Sequence, residues 1–380
     1  MRHALSLFGF ALVGVVSSSF VAVTGCSSST DSQGASPGPD GGTSETGTSP
    51  AACTPIALGA VSGLPQGELL DTAADAQGSW LLVRGTDTKR ALTIVRPSGE
   101  THVLEQSDVT SAALAARSDG KVCAAWGVSK PTSAVRYACG PDFAAVDIKV
   151  SLEISGDTPL AFRDGPSGAA LLFKGRFAAL DGIRRMADGT WLDANVNESS
   201  ISYPGSTRAL SGADEGSPYC FVANQSQGPA PIVVESWLRS GSANDWGVLA
   251  LPEKTAANAC GVALSGSKLG VLATGGGKAV FATADTSGEF ASPLVPETFE
   301  APGIATWDLA ADENGFTIVY ASDKGAFRTT RGPTDATWQT SPLTIPATSP
   351  VMRVGLAKSA STEHIVVQTT DSTYYGRNCC

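Results

Sequence analysis

Apolar residues in this chain gather in short runs bounded by Gly, Ser, Asp and Asn turns, and seven of the runs look alike. They are "WLLVRG" from Trp80, "VCAAWG" from Val122, "ALLFKG" from Ala170, "YCFVAN" from Tyr219, "GVLATG" from Gly270, "FTIVYA" from Phe316 and "HIVVQT" from His364, spaced 42 to 51 residues apart. Most follow a turn such as "AQGS" or "DENG", and before it a strand of small residues such as "SAALAAR" or "TWDLAAD". A second hairpin arm comes after each run, for example "ALTIVR" or "AVFATA", and in most repeats a fourth strand such as "THVLE". No segment keeps apolar residues at i, i+3, i+4 and i+7 for more than two turns, so the pattern predicts strands rather than helices.

Four strands in every 48 or so residues is the spacing of β-propeller blades. The runs are apolar throughout, without alternation, which is expected of strands covered on both faces by neighbouring blades. The sequence therefore predicts an all-β protein with one propeller of four-stranded blades over 53–380. The repeats count seven blades, with six or eight left open. The seventh repeat ends after its third strand, and "TPIALGAV" at Thr54 to Val61 is the segment expected to supply the fourth. Such closure removes an edge that would otherwise invite aggregation.

Closure also organises the cysteines. Cys53 begins the closing strand and Cys379 and Cys380 end its neighbour, so a disulfide there would clasp the ring. Cys123 and Cys139 lie equally far from Pro131 at a hairpin tip, which places them opposite each other. Cys220 and Cys260 pair by elimination. No Cys-x-x-Cys pair occurs among these seven, so disulfides are expected and a zinc site is not. No metal or cofactor is expected.

The amino terminus changes the setting. Arg2 and His3 precede an apolar segment from Leu5 to Val23, the charged start and hydrophobic middle of a secretory signal. Val23-Thr24-Gly25-Cys26 resembles the bacterial lipobox. That resemblance implies cleavage after residue 25 and a diacylglycerol on Cys26, with stable attachment needing more than one lipid chain. Residues 27–52 are nearly all Ser, Gly, Thr, Pro, Asp and Ala, so 26–52 reads as a flexible tether reaching about 25 to 30 Å. The expected address is the bacterial cell envelope, at the outer membrane or cell surface. A net charge of −10 argues against nucleic acid.

"MADGTWLD" at Met186 to Asp193 resembles the turn of sialidase-like Asp-box propellers, through Asp188, Gly189 and Trp191. "TADTSGEF" at Thr283 to Phe290 is a second case, with one residue too many between Asp285 and Gly288. In that family the turn is structural, so the resemblance implies fold. A sialidase would also need three arginines, an acidic proton donor and a tyrosine beside a glutamate; Glu235 and Tyr320 lie near strand ends, but no arrangement selects among them. No phosphate loop, GxSxG elbow or calcium loop is present. The reading is thus a membrane-anchored binding or scaffold module for a surface ligand or protein partner. A glycan-active hydrolase or lyase is the alternative.

One ligand-facing pattern stands out. Five of the ten lysines, Lys89, Lys130, Lys174, Lys278 and Lys324, fall at hairpin tips between the two middle strands, with Arg90 and Arg176 beside them. In a propeller these tips share one face. The rim would then be locally positive and attract an anionic glycan or an envelope protein, although Asp87, Asp323 and Asp371 share the same tips.

Overall fold

The computed structural model describes residues 56–117, 119–129, 134–148, 160–165, 168–174, 180–185, 190–194, 207–212, 218–223, 232–236, 245–286, 293–297, 299–346, 348–359 and 362–379. Residues 51–380 form one compact unit. The signal segment, Cys26, the tether, Cys53, Cys380, Lys130, Arg176, Asp188, Gly189 and Gly288 all lie outside the described residues, as does the side chain of Cys379.

Seven four-stranded antiparallel sheets make up the described domain. Six are consecutive, beginning with blade one (Glu68–Asp75, Gly78–Arg84, Leu92–Val95 and Thr101–Glu105) and ending with blade six (Thr306–Asp312, Gly315–Ser322, Gly325–Arg331 and Gln339–Pro342). Blade seven takes Val351–Ser359, Thr362–Thr369 and Thr373–Cys379 from the carboxyl end and Gly59–Ala60 from the amino end. Each innermost strand packs beside the next blade's innermost strand, and Val351–Ser359 returns to Glu68–Asp75, so the sheets close into a ring.

The closing strand is shorter than the sequence suggested. Gly59 pairs with Tyr375 and Ala60 with Tyr374. Upstream of them the chain changes partner: Ala57 forms a parallel bridge to Thr344, and Leu58 N–H donates to Thr344 O at 3.1 Å. Ile56 to Leu58 thus wedge between the exit of blade six and the third strand of blade seven. Gly376 permits this approach, since a Cβ there would stand 2.5 Å from the Leu58 side chain.

Packing explains the uninterrupted apolar runs. Leu81, Leu82, Ile94, Ala125, Trp126, Ile318 and Val366 are all completely buried. Their clusters span adjacent blades: Leu82 and Trp126 join blades one and two, Phe281 and Phe316 join five and six, and Leu58 joins the cluster of six and seven. A propeller's core is therefore a set of interfaces, each covering both faces of a sheet.

The innermost strands have an edge that faces a channel of about 290 Å³, with no further strand to pair with. Two aspartates satisfy part of that edge from the preceding blade. Asp71 Oδ2 accepts Leu114 N–H at 2.8 Å, and Asp308 Oδ2 accepts Leu356 N–H at 2.7 Å. The two sit at matching repeat positions, since Thr72, the residue after Asp71, opposes Leu81, and Leu309, the residue after Asp308, opposes Ile318. Blade seven has Gly355 at this position, where a Cβ would fall 2.5 Å from Thr72 of blade one.

Candidate functional site

A groove of about 770 Å³ opens where the ring closes, between blades seven and one. One wall is the loop from Val61 to Gly67 with Glu68 behind it and Thr86 from the blade-one hairpin tip. The other is the start of the inner strand of blade seven, Met352 and Arg353, with Gln368 and the hairpin tip from Thr369 to Thr373. Gly63, Pro65 and Gly67 make the loop, and Gly63 has φ +75, a left-handed conformation that a glycine adopts at little cost. Both walls belong to the face that carries the hairpin tips.

Long-range pairs hold the two walls. Gln368 donates to Gly67 O and accepts from Leu69 N–H, both at 2.9 Å. Glu68 takes Arg84 of its own blade at 2.8 Å on Oε2 and Arg353 of blade seven at 2.5 Å on Oε1. Burial by itself would raise the Glu68 carboxyl, but the hydrogen bonds and charges of Arg353 and Arg84 outweigh it and hold the group below the usual carboxylate range. Glu68 is therefore an anion near neutral pH and a poor proton donor. Asp371, at the outer lip, is exposed and accepts from Thr370 Oγ1 at 3.2 Å and from Ser349 Oγ. Met352 is 56% exposed.

The described lysines of the predicted rim lie outside this groove. Lys89 and Lys324 are exposed on the tips of blades one and six. Lys278 opens the third strand of blade five and is paired with Glu253, from the linking turn before that blade, so its charge is compensated. Arg90 sits in the same tip as Lys89, its N–H donating to Asp87. Lys174 ends the second strand of blade three, and its side chain lies outside the described ones. No lysine is among the described residues that line the groove. Sequence reasoning missed Glu68, Arg353 and Gln368, whose partners lie about 300 positions away; the one local signal was the Gly/Pro spacing of the loop.

Both described disulfides agree with the sequence pairing. Cys123 and Cys139 are register partners and are bonded within blade two. Cys220 of blade four is bonded to Cys260 of blade five. Trp191 packs edge-on against Tyr137 of blade two at 5.1 Å. Trp338 packs edge-on against Phe281 of blade five at 4.9 Å, after a turn in which Asp335 accepts Gly332 N–H at 3.0 Å. Tyr320 is buried against Phe327 and Phe299, and burial raises its hydroxyl, so it is no exposed nucleophile. No His/Cys/Asp/Glu cluster able to hold a metal occurs among the described residues.

No known family and no curated protein matches this sequence. Solved structures do resemble it in fold. YCF48 from Cyanidioschyzon merolae superposes with a TM-score of 0.55 at 13% identity, covering 84% of this chain and 98% of that one. YCF48 bound to D1 peptide gives 0.50 at 14%, covering 86% and 97%. A fucose-specific lectin from Aleuria aurantia gives 0.50 at 11%, covering 72% and 95%. At these identities the likeness establishes the propeller fold, the class the repeats predicted, and nothing finer.

Proposed function

We propose that this protein is a binding module of the bacterial cell envelope, anchored by lipid on Cys26, with the groove between blades seven and one as its ligand site. The observation that carries the reading is the groove itself. It is concave, mixes apolar and polar groups, and is held open by rigid strands rather than by loops alone, which is the usual form of a ligand site. Propellers of similar fold hold a sugar in one case and a peptide in another, by their own descriptions. Hydrolysis is disfavoured, because Glu68, the carboxylate at the back of the groove, is already bound by two arginines. An outer-membrane or surface location follows from the lipobox reading.

Two measurements test the proposal. Cys26→Ser should move the protein from the membrane fraction to the soluble extracytoplasmic fraction; unchanged membrane retention would refute the lipid anchor. A photo-crosslinking residue in place of Met352 should capture an envelope component that the same residue in place of Val295, on the outer strand of blade five, does not. Equal capture at both positions, or none at Met352, would count against the groove.

A further inference from the structure

We infer that the groove is a saccharide subsite for a neutral oligosaccharide, an assignment that rests on the binding role above and names its ligand. Donors and acceptors alternate along its lining. Arg353 presents a half-exposed guanidinium, and among the described residues it is bonded only to Glu68. On the same wall Asp371 is an exposed acceptor that takes the Thr370 and Ser349 hydroxyls, and the exposed Thr86 and Ser372 hydroxyls can donate or accept. A sugar is the ligand class rich in hydroxyl groups, each of which can donate as well as accept. Exposed Met352, with half-buried Leu64 and Pro65, adds an apolar strip for the C–H face of such a ring.

Competing chemistries fit less well. The charged residues of the lining are Glu68, Asp371 and Arg353, a balance of −1, and the one cation is already matched by Glu68. A phosphate, sulfate or uronate would meet that field unfavourably. No aromatic side chain is among the described residues that line the groove, so a nucleobase or aromatic side chain finds no stacking partner among them. An extended peptide binds best by adding to an open strand edge. The edge bordering this groove is taken: Tyr374 and Tyr375 pair with Ala60 and Gly59, and Thr373 O accepts Val61 N–H at 2.8 Å. The volume suits a short oligosaccharide.

The test is an array carrying neutral oligosaccharides, sulfated and uronate-containing ones, and peptides, probed with the purified full chain. Wild type should be retained on neutral glycans. Asp371→Asn and Arg353→Gln should each weaken that binding by about tenfold or more, as expected for loss of a hydrogen bond to a charged group. Lys89→Ser with Lys324→Ser should leave it unchanged. Because Arg353 also pairs with Glu68, its variant is read only alongside an unchanged thermal transition; Asp371 is exposed at the lip, and Asp371→Asn keeps an amide oxygen to accept from Ser349 or Thr370. Retention on anionic glycans alone, lost with the lysines, would overturn the assignment and move the site to the rim. Peptide retention lost with Asp371→Asn would overturn it while leaving the binding role intact. No retention by any probe, with no capture at Met352, would end both.

Discussion

Glu363→Gln should lose about 3 to 5 kcal/mol of stability at pH 7, the cost of breaking a buried ion pair from one side. Glu363 is 1% exposed, at the interface of blades six and seven. Arg328 Nε donates to its Oε2 at 2.6 Å, Thr317 Oγ1 donates to Oε1 at 2.9 Å, and Lys358 Nζ lies 3.5 Å from Oε1 while reaching Asp312 at 2.8 Å. Burial raises this carboxyl, yet the Arg328 hydrogen bond and charge, the Lys358 charge and the Thr317 hydroxyl together leave it lowered to about 2. A folded-state value below the unfolded one contributes stability that is present above pH 4.5 and is lost as pH falls toward 2. The gap between wild type and variant in equilibrium denaturation should therefore narrow by up to about 3 kcal/mol over that window. A constant gap would show that the charge is not what stabilises the interface.

Acid-to-arginine pairs of this kind recur at the seams. Glu105 of blade one takes Arg136 of blade two, Glu297 of blade five takes Arg331 of blade six, and Glu68 of blade one takes Arg353 of blade seven. Together with the apolar clusters they set neighbouring sheets against one another. The groove is thus built from the same kind of contact that builds the ring.

What the sequence displayed was whatever repeats locally. Strands buried on both faces read as short apolar runs, so the blade count was legible, and the hairpin around Pro131 fixed the partnership of Cys123 and Cys139. The carboxyl-terminal repeat lacked a strand and the amino terminus had one spare, which revealed closure. The interblade pins were not read from the sequence, although the strands "LDTAAD" and "WDLAAD" match and place Asp71 and Asp308 each four residues before the turn aspartate. The groove was not legible. Its walls come from opposite ends of the chain, and Glu68, Arg353 and Gln368 are unremarkable until the ring brings them together. Hairpin position is equally local, and it placed Lys89 and Lys324 on exposed tips, but it could not show that Lys278 has a partner, Glu253, in a linking turn outside the hairpin.

Removing residues 53–61 should have the other large effect, on the state of association as well as on stability. Leu58 is 4% exposed and packs into the cluster of blades six and seven, so its loss alone should lower stability by about 2 to 5 kcal/mol, as for other buried leucines. The deletion also uncovers the outer edge of Thr373–Cys379 at Tyr374 and Tyr375. An exposed edge pairs with whatever strand is offered, so the truncated chain should show concentration-dependent association in light scattering beyond that of the intact chain. A synthetic peptide spanning 53–62 should restore the association state of the intact chain by refilling the edge. A truncated chain that associates no more than the intact one and is equally stable would mean that two register pairs and one leucine do not close the ring. Peptide mapping of the intact, non-reduced protein supplies the companion result: Cys53 linked to Cys379 or Cys380. That bond would make closure intramolecular, and in the chain-entropy account a loop of this length contributes somewhat more than the ~4.7 kcal/mol of a 100-residue one. Cys53 joined instead to a cysteine of blades two to five would break the clasp and leave closure to the wedge of Ile56 to Leu58 alone.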